Sequence, residues 1–268
     1  MINQTFSELS ANGNYYENEL FTKFEDSFIM DMGSGRTGLK IIHGHRSMIT
    51  FGAIKPKRCE LSDVRFLFYS PKKCEARLLF LQFKKGERNR AGDLVFKVGA
   101  PQHELFATHP LVEYKKNGVV YTLDILKDKV HSCDDAGTMY VIAENIGNTY
   151  ELSFANNKAI VGTGATDTYR CISTVLPRLI TVPGFTYCEY VPDFKEFLRQ
   201  VKQLQVGREI LLGDLYVELG ERLMKNAPED LLGLVREYNN NRLVSDYNEN
   251  VYMDVNTIFL NVDELEIE

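Results

Sequence analysis

Asp63, Gln82 and Lys84 are the residues of this chain whose types and spacing could do chemistry. They stand in Glu60-Leu-Ser-Asp63-Val-Arg-Phe-Leu-Phe-Tyr and, after a short break, in Leu78-Leu-Phe-Leu-Gln82-Phe-Lys84-Lys-Gly86. Both runs read as strands rich in Phe and Leu, joined by a turn over Ser70–Lys73. Residues two apart on a strand share a face, so Gln82 and Lys84 project together while Phe83 points the other way. Antiparallel pairing through the turn brings Asp63 to the end that carries them. An acid facing a polar-x-Lys pair suits phosphodiester hydrolysis. Asp63 and the amide oxygen of Gln82 are hard donors for Mg²⁺ or Mn²⁺. Such an ion polarises a phosphate and acidifies a bound water. Lys84 would hold that water or neutralise charge growing on the phosphoryl oxygens.

The elements that must position these residues form an α+β pattern. Residues 14–30 predict a helix, with Leu20, Phe21, Phe24 and Phe28 on one face and Asn14 as a cap. Strands are expected over 39–43, 47–54, 63–70, 77–84, 94–98, 118–124 and 138–144. A short helix follows Pro101 and must stop before Pro110. Residues 148–165 suggest a further strand and a Gly-rich turn. The segments 192–206 and 209–240 read as two or three amphipathic helices, and the stretch from Tyr252 as a strand with an acidic end. The expected fold is a mixed, mostly antiparallel central sheet flanked by helices, with a core over 1–150 and a strand-plus-helical region over 151–268 that packs on it.

The stretch Asp63, 18 intervening residues, then Gln82-x-Lys84 resembles the core of the PD-(D/E)xK nuclease superfamily, in the variant with glutamine at the middle position. The resemblance covers roughly residues 14–115 and implies an α/β/α-like nuclease core, a divalent metal at Asp63 and Gln82, and Lys84 as the catalytic lysine. It also implies a glutamate on the preceding helix. Glu17 and Glu19 are the candidates, and Glu19 is preferred because Leu20 follows it directly. Gln102, in Gln102-His-Glu-Leu-Phe-Ala-Thr-His-Pro110, is similar to the glutamine found after the lysine strand in bacterial members. The implied partner is nucleic acid, DNA first, in restriction or defence against foreign DNA. A second copy of the chain or a partner protein would engage the C-terminal part. Gln82 departs from the fuller pattern: a neutral amide leaves one fewer anion to hold a cation. Glu60 could replace that charge only if turned inward, because strand alternation from Asp63 places it on the opposite face.

Charge is distributed unevenly. The formal net charge is −6, yet residues 51–90 hold 11 Lys+Arg against 4 acids, while 191–268 hold 8 against 16. The first zone includes Lys85, Arg88 and Arg90, which with Gln102 and Arg36 are the expected nucleic-acid contacts. Lysines and arginines also keep surface strands soluble. No apolar run approaches the ~20 residues of a membrane span, and the first residues lack the pattern of a secretory signal. Five scattered cysteines without a C-x-x-C pair fit a reducing, cytoplasmic setting. Gly33-Ser-Gly-Arg-Thr-Gly38 matches G-x-G-x-x-G, but Leu39-Lys-Ile-Ile-His43 directly after it reads as a strand, so a turn is expected rather than a dinucleotide loop. The aromatic run Phe185–Tyr190 reads as core before it reads as a base-stacking strip. A catalytically degenerate nuclease fold serving as a binding subunit is the competing expectation, and Gln82 and the acidic tail favour it.

Overall fold

The strand that carries Gln82 and Lys84 is the spine of the molecule. The computed structural model describes residues 2–32, 38–44, 47–172, 176–239, 253 and 255–266. Helices α1 (Ile2–Leu9) and α2 (Glu17–Met32) come first, then strands β1 (Leu39–Ile42), β2 (Met48–Phe51) and β3 (Lys57–Glu60). The hairpin of β4 (Val64–Ser70) and β5 (Glu75–Arg88) leads to β6 (Leu94–Lys97) and helix α3 (Ala100–Thr108). A second hairpin, β7 (Val112–Lys116) and β8 (Val119–Leu123), precedes β9 (Thr138–Ile146) and β10 (Thr149–Ala155). Next come β11 (Ile160–Gly162), β12 (Thr168–Cys171), β13 (Arg178–Val182) and β14 (Phe185–Val191), then helix α4 (Phe194–Lys202) and β15 (Arg208–Ile210). Helices α5 (Leu215–Leu219), α6 (Glu221–Met224) and α7 (Glu229–Asn239) lead to strand β16 (Asn256–Asn261).

Twelve strands form the main sheet, whose path runs β1-β16-β4-β5-β9-β10-β14-β13, with β6, β11, β12 and β15 branching from it. Most pairs are antiparallel; β16 with β4 and β5 with β9 are parallel. Strand β5 is long enough to change partners on both edges. One edge pairs with β4 over residues 75–81 and with β6 over 86–88. The other pairs with β15 over 76–78 and with β9 over 80–86. Gly86 permits the close approach of β6, because a Cβ there would lie 2.5 Å from Ile142 Cγ2 and 3.0 Å from Leu94 Cδ1. A separate four-stranded sheet, β3-β2-β7-β8, stands beside the main one.

Alternation along β4 and β5 sends side chains into two cores. Phe66, Phe68, Leu79, Leu81 and Phe83 pack with Phe24 and Phe28 of α2, Phe6 of α1 and Phe194 and Phe197 of α4. Leu67, Tyr69, Leu78 and Phe80 pack on the other face with Leu105 and Phe106 of α3 and with leucines of α5 to α7. Because both faces are covered, β4 is buried along its whole length and reads as a continuous apolar run rather than an alternating one. The molecule is therefore an α+β protein with helices on both faces of a mostly antiparallel sheet.

Several expectations change. The strand expected over 77–84 extends to Arg88, so Lys84-Lys85-Gly86 lies within it and does not end it. Residues 112–116, for which no element was expected, form a strand, and residues 208–210 form β15 where the second helical segment was expected to begin at 209. The division near 150 falls inside β10, and strands from both sides of it share the main sheet. Residues 33–37, including Arg36, lie outside the described residues, as do 45–46 with His45. Phe185 and Tyr187 are buried in β14, as core aromatics. Among the described residues no helix is long and apolar enough to cross a membrane.

Candidate active site

The partner change on β5 creates the chemistry. Pairing with β4 ends at Val64↔Leu81 and pairing with β6 begins at Gly86. Between them, backbone groups of β5 on that edge have no neighbouring strand among the described residues, and their N–H groups need other acceptors. Two carboxylates supply them. Phe83 N–H donates to Asp63 Oδ2 at 2.6 Å, and Lys85 N–H donates to Glu17 Oε1 at 3.1 Å. Asp63 is held in register by its own N–H, which donates to the Leu81 carbonyl at 3.0 Å. It therefore stands opposite Gln82, whose Nε2 donates to Asp63 Oδ2 at 2.7 Å.

Lys84 projects on the same face as Gln82, and its Nζ lies 3.3 Å from Glu17 Oε2. The structure thus brings Asp63, Gln82 and Lys84 together and adds Glu17. Glu19, the preferred helix acid, is placed elsewhere: it is exposed, and its Oε2 accepts the Tyr16 N–H at 2.6 Å. The reason is helical phase. Helix α2 begins at Glu17, and positions two apart are about 200° around a helix. Glu17 shares the face of Phe21, four residues on, while Glu19 sits at the third helical position and closes half of a capping box on Tyr16. Asn14 does not cap the helix; its Oδ1 accepts from Lys85 Nζ at 3.1 Å.

These groups open into a cleft of about 670 Å³ walled by α2, β3, α3 and β16. Gln102 of α3 reaches it, nearly buried, with Nε2 donating to the Glu60 carbonyl at 3.1 Å. Glu60 also lines the cleft. Strand alternation from Asp63 does not govern it, because it ends β3 in the second sheet and the chain turns before β4. Asn256, which carries no signal in the sequence, closes the floor. Its Nδ2 donates to the Asp63 carbonyl at 3.2 Å and its Oδ1 accepts the Gly44 N–H at 2.8 Å. Of the expected basic contacts, Lys85 lines the cleft. Arg88 does not; it pairs with Glu144 at 3.0 Å and donates to the Gly92 carbonyl. Arg90 is exposed beyond the end of β5. His103 lies against Tyr169, and His109 is buried beside Thr138, both away from the cleft lining.

Burial pushes the Asp63 carboxyl above its ordinary range, opposed by the Lys84 ammonium and the Phe83 N–H and reinforced by Glu17. Gln82 is 4% exposed, and its Oε1 has no hydrogen-bond partner among the described residues. An unmatched buried acceptor carries a desolvation cost of about 1–3 kcal/mol. Asp63 offers a hard oxygen to a divalent cation, and the Gln82 oxygen would join it only if the amide, whose Nε2 now faces Asp63, turned over. No cluster of three or more His, Cys, Asp or Glu suited to a metal occurs among the described residues, so any cation here would depend on that rearrangement. No protein-family model, curated protein or solved structure matches the chain.

Proposed function

We propose that this protein is a metal-dependent nuclease that hydrolyses phosphodiester bonds in nucleic acid, with DNA as the first substrate to test. The observation that carries the reading is the meeting of Asp63, Gln82 and Lys84 beside the stretch of β5 between its pairings with β4 and β6. The topology around them supports it as well: a helix, an antiparallel hairpin, and a crossover through α3 to a strand parallel with β5. Asp63 and Gln82 would hold Mg²⁺ or Mn²⁺, which supplies Lewis-acid polarisation of the phosphate. Lys84, 12% exposed in its side chain, presents a cation to the phosphoryl oxygens. Glu17 orients that ammonium from α2, and Asn256 fixes the backbone of Asp63 from β16. Restriction or defence against foreign DNA is the setting that the resemblance implies.

A second reading has its own observation. Asp63 and Glu17 both use carboxylate oxygens on the backbone of β5, and Glu17 also engages Lys84. Those contacts hold a split strand together in a protein that binds without cutting. One experiment separates the two: incubation with plasmid, linear and single-stranded DNA and with RNA, in Mg²⁺, Mn²⁺ or EDTA. Cleavage is expected only with metal, and Asp63→Asn and Lys84→Ala each reduce it by about 100-fold or more. The asparagine keeps an acceptor for the Phe83 N–H, so loss of activity does not reduce to unfolding. Binding without cleavage under every metal establishes the second reading instead.

A further inference from the structure

We infer that Tyr16 is a base-stacking platform and that the cleft takes an unpaired nucleic-acid strand. The inference rests on the nucleic-acid reading above and names its substrate class. Tyr16 lines the cleft beside Glu17 and Lys85, yet it is 75% exposed, the most exposed aromatic side chain among the described residues. The residue before it behaves differently. Tyr15 turns inward, with its ring centre 6.1 Å from that of Tyr150. The backbone of Tyr16 is fixed at both ends: its N–H donates to Glu19 at 2.6 Å and its carbonyl accepts from Leu20 at 3.0 Å. The ring is carried on a capped helix start beside a polar cleft and is open to water, so a flat partner can cover it without displacing the backbone.

The surroundings select that partner. Lys85 stands near the same rim, with its ammonium 3.1 Å from Asn14 Oδ1 and 5.9 Å from the centre of the Tyr150 ring. Lys84 lies on the cleft floor. Glu17, which pairs with Lys84, and Glu60 and Asp63 also line the cleft, so the rim that combines an open aromatic face with the Lys85 ammonium is the part that matches a strand presenting phosphates and unstacked bases. A paired duplex keeps its base faces covered and offers Tyr16 nothing to stack on. Glu19 thereby gains a role apart from chemistry, that of holding the residue that meets the base.

The test uses the full chain in EDTA and fluorescence anisotropy with three labelled probes of equal length: a short DNA single strand, the same strand with abasic sites throughout, and the duplex. The wild type is expected to bind the base-bearing strand about tenfold or more tightly than the abasic one. Tyr16→Ala erases that difference, and Tyr16→Phe keeps it. A Tyr16→Ala protein that retains the preference overturns the inference, as does a wild type with no preference or with equal affinity for duplex. Cleavage of the same strand in Mn²⁺ is scored separately. Cutting with no effect of Tyr16 removes the stacking role and leaves the nuclease, whereas base-dependent binding without cutting does the reverse.

Discussion

Glu25, at the middle of α2, shows what a single buried carboxylate does to this protein. It is 5% exposed, its Oε1 has no hydrogen-bond partner among the described residues, and its Oε2 lies 4.0 Å from His43 Nδ1. Burial, followed by the neighbouring Asp26, pushes its pKa up from 4.5 to about 7. The native state holds the proton more tightly than the unfolded chain, so stability falls as pH rises from about 4.5 to about 7 and then levels off. Glu25→Gln removes that decline. Relative to the wild type, its unfolding free energy is expected to gain about 1–3 kcal/mol between pH 4.5 and pH 8. Urea unfolding at the two pH values reads the difference. An equal pH dependence in both proteins rules out Glu25 as its source.

At the scale of elements, the departure of β4 and the arrival of β6 along β5 decide where the cleft lies. Gly86 marks the arrival. In Gly86→Ala, the new Cβ displaces Ile142 and Leu94, an overpacking that costs about 1–3 kcal/mol. The measured outcome is a lower urea midpoint with an unchanged slope; an unchanged midpoint shows that the two strands yield freely. The same stretch shows what the sequence discloses. Asp63, Gln82 and Lys84 were legible because a short turn fixes their register and a period of two fixes their face. Glu17 over Glu19 was not, because the choice depends on the residue at which α2 starts. The extension of β5 past Lys84 was hidden too, since the strand there is sustained by β9 and β6 rather than by its own composition. Asn256 was beyond reach. Its partner is 193 residues away, and an asparagine opening a strand gives no local sign of what it will touch.

For the molecule as a whole, β16 is the element on which the rest closes. It lies between β1 and β4, antiparallel to one and parallel to the other. Asn261 Nδ2 donates to Asp230 Oδ2 at 2.7 Å, and Tyr69 OH donates to Asp230 Oδ1 at 2.8 Å, so α7, β4 and β16 are tied at one half-buried point. Without β16, the apolar edge of β4 and the faces of Ile258, Phe259 and Leu260 are lost together. Deletion of residues 255–268 is expected to abolish a cooperative thermal transition and to drive the chain into aggregates on size exclusion. A monomer that still melts cooperatively shows that the remaining sheet stands by itself.

That placement also sets an order in time. A ribosome delivers Asp63, Gln82 and Lys84 long before it delivers Asn256, and the nascent chain cannot complete the floor of the cleft until β16 has emerged. Until then, β4 and β5 can pair with each other while the cleft they border stays open on its β16 side.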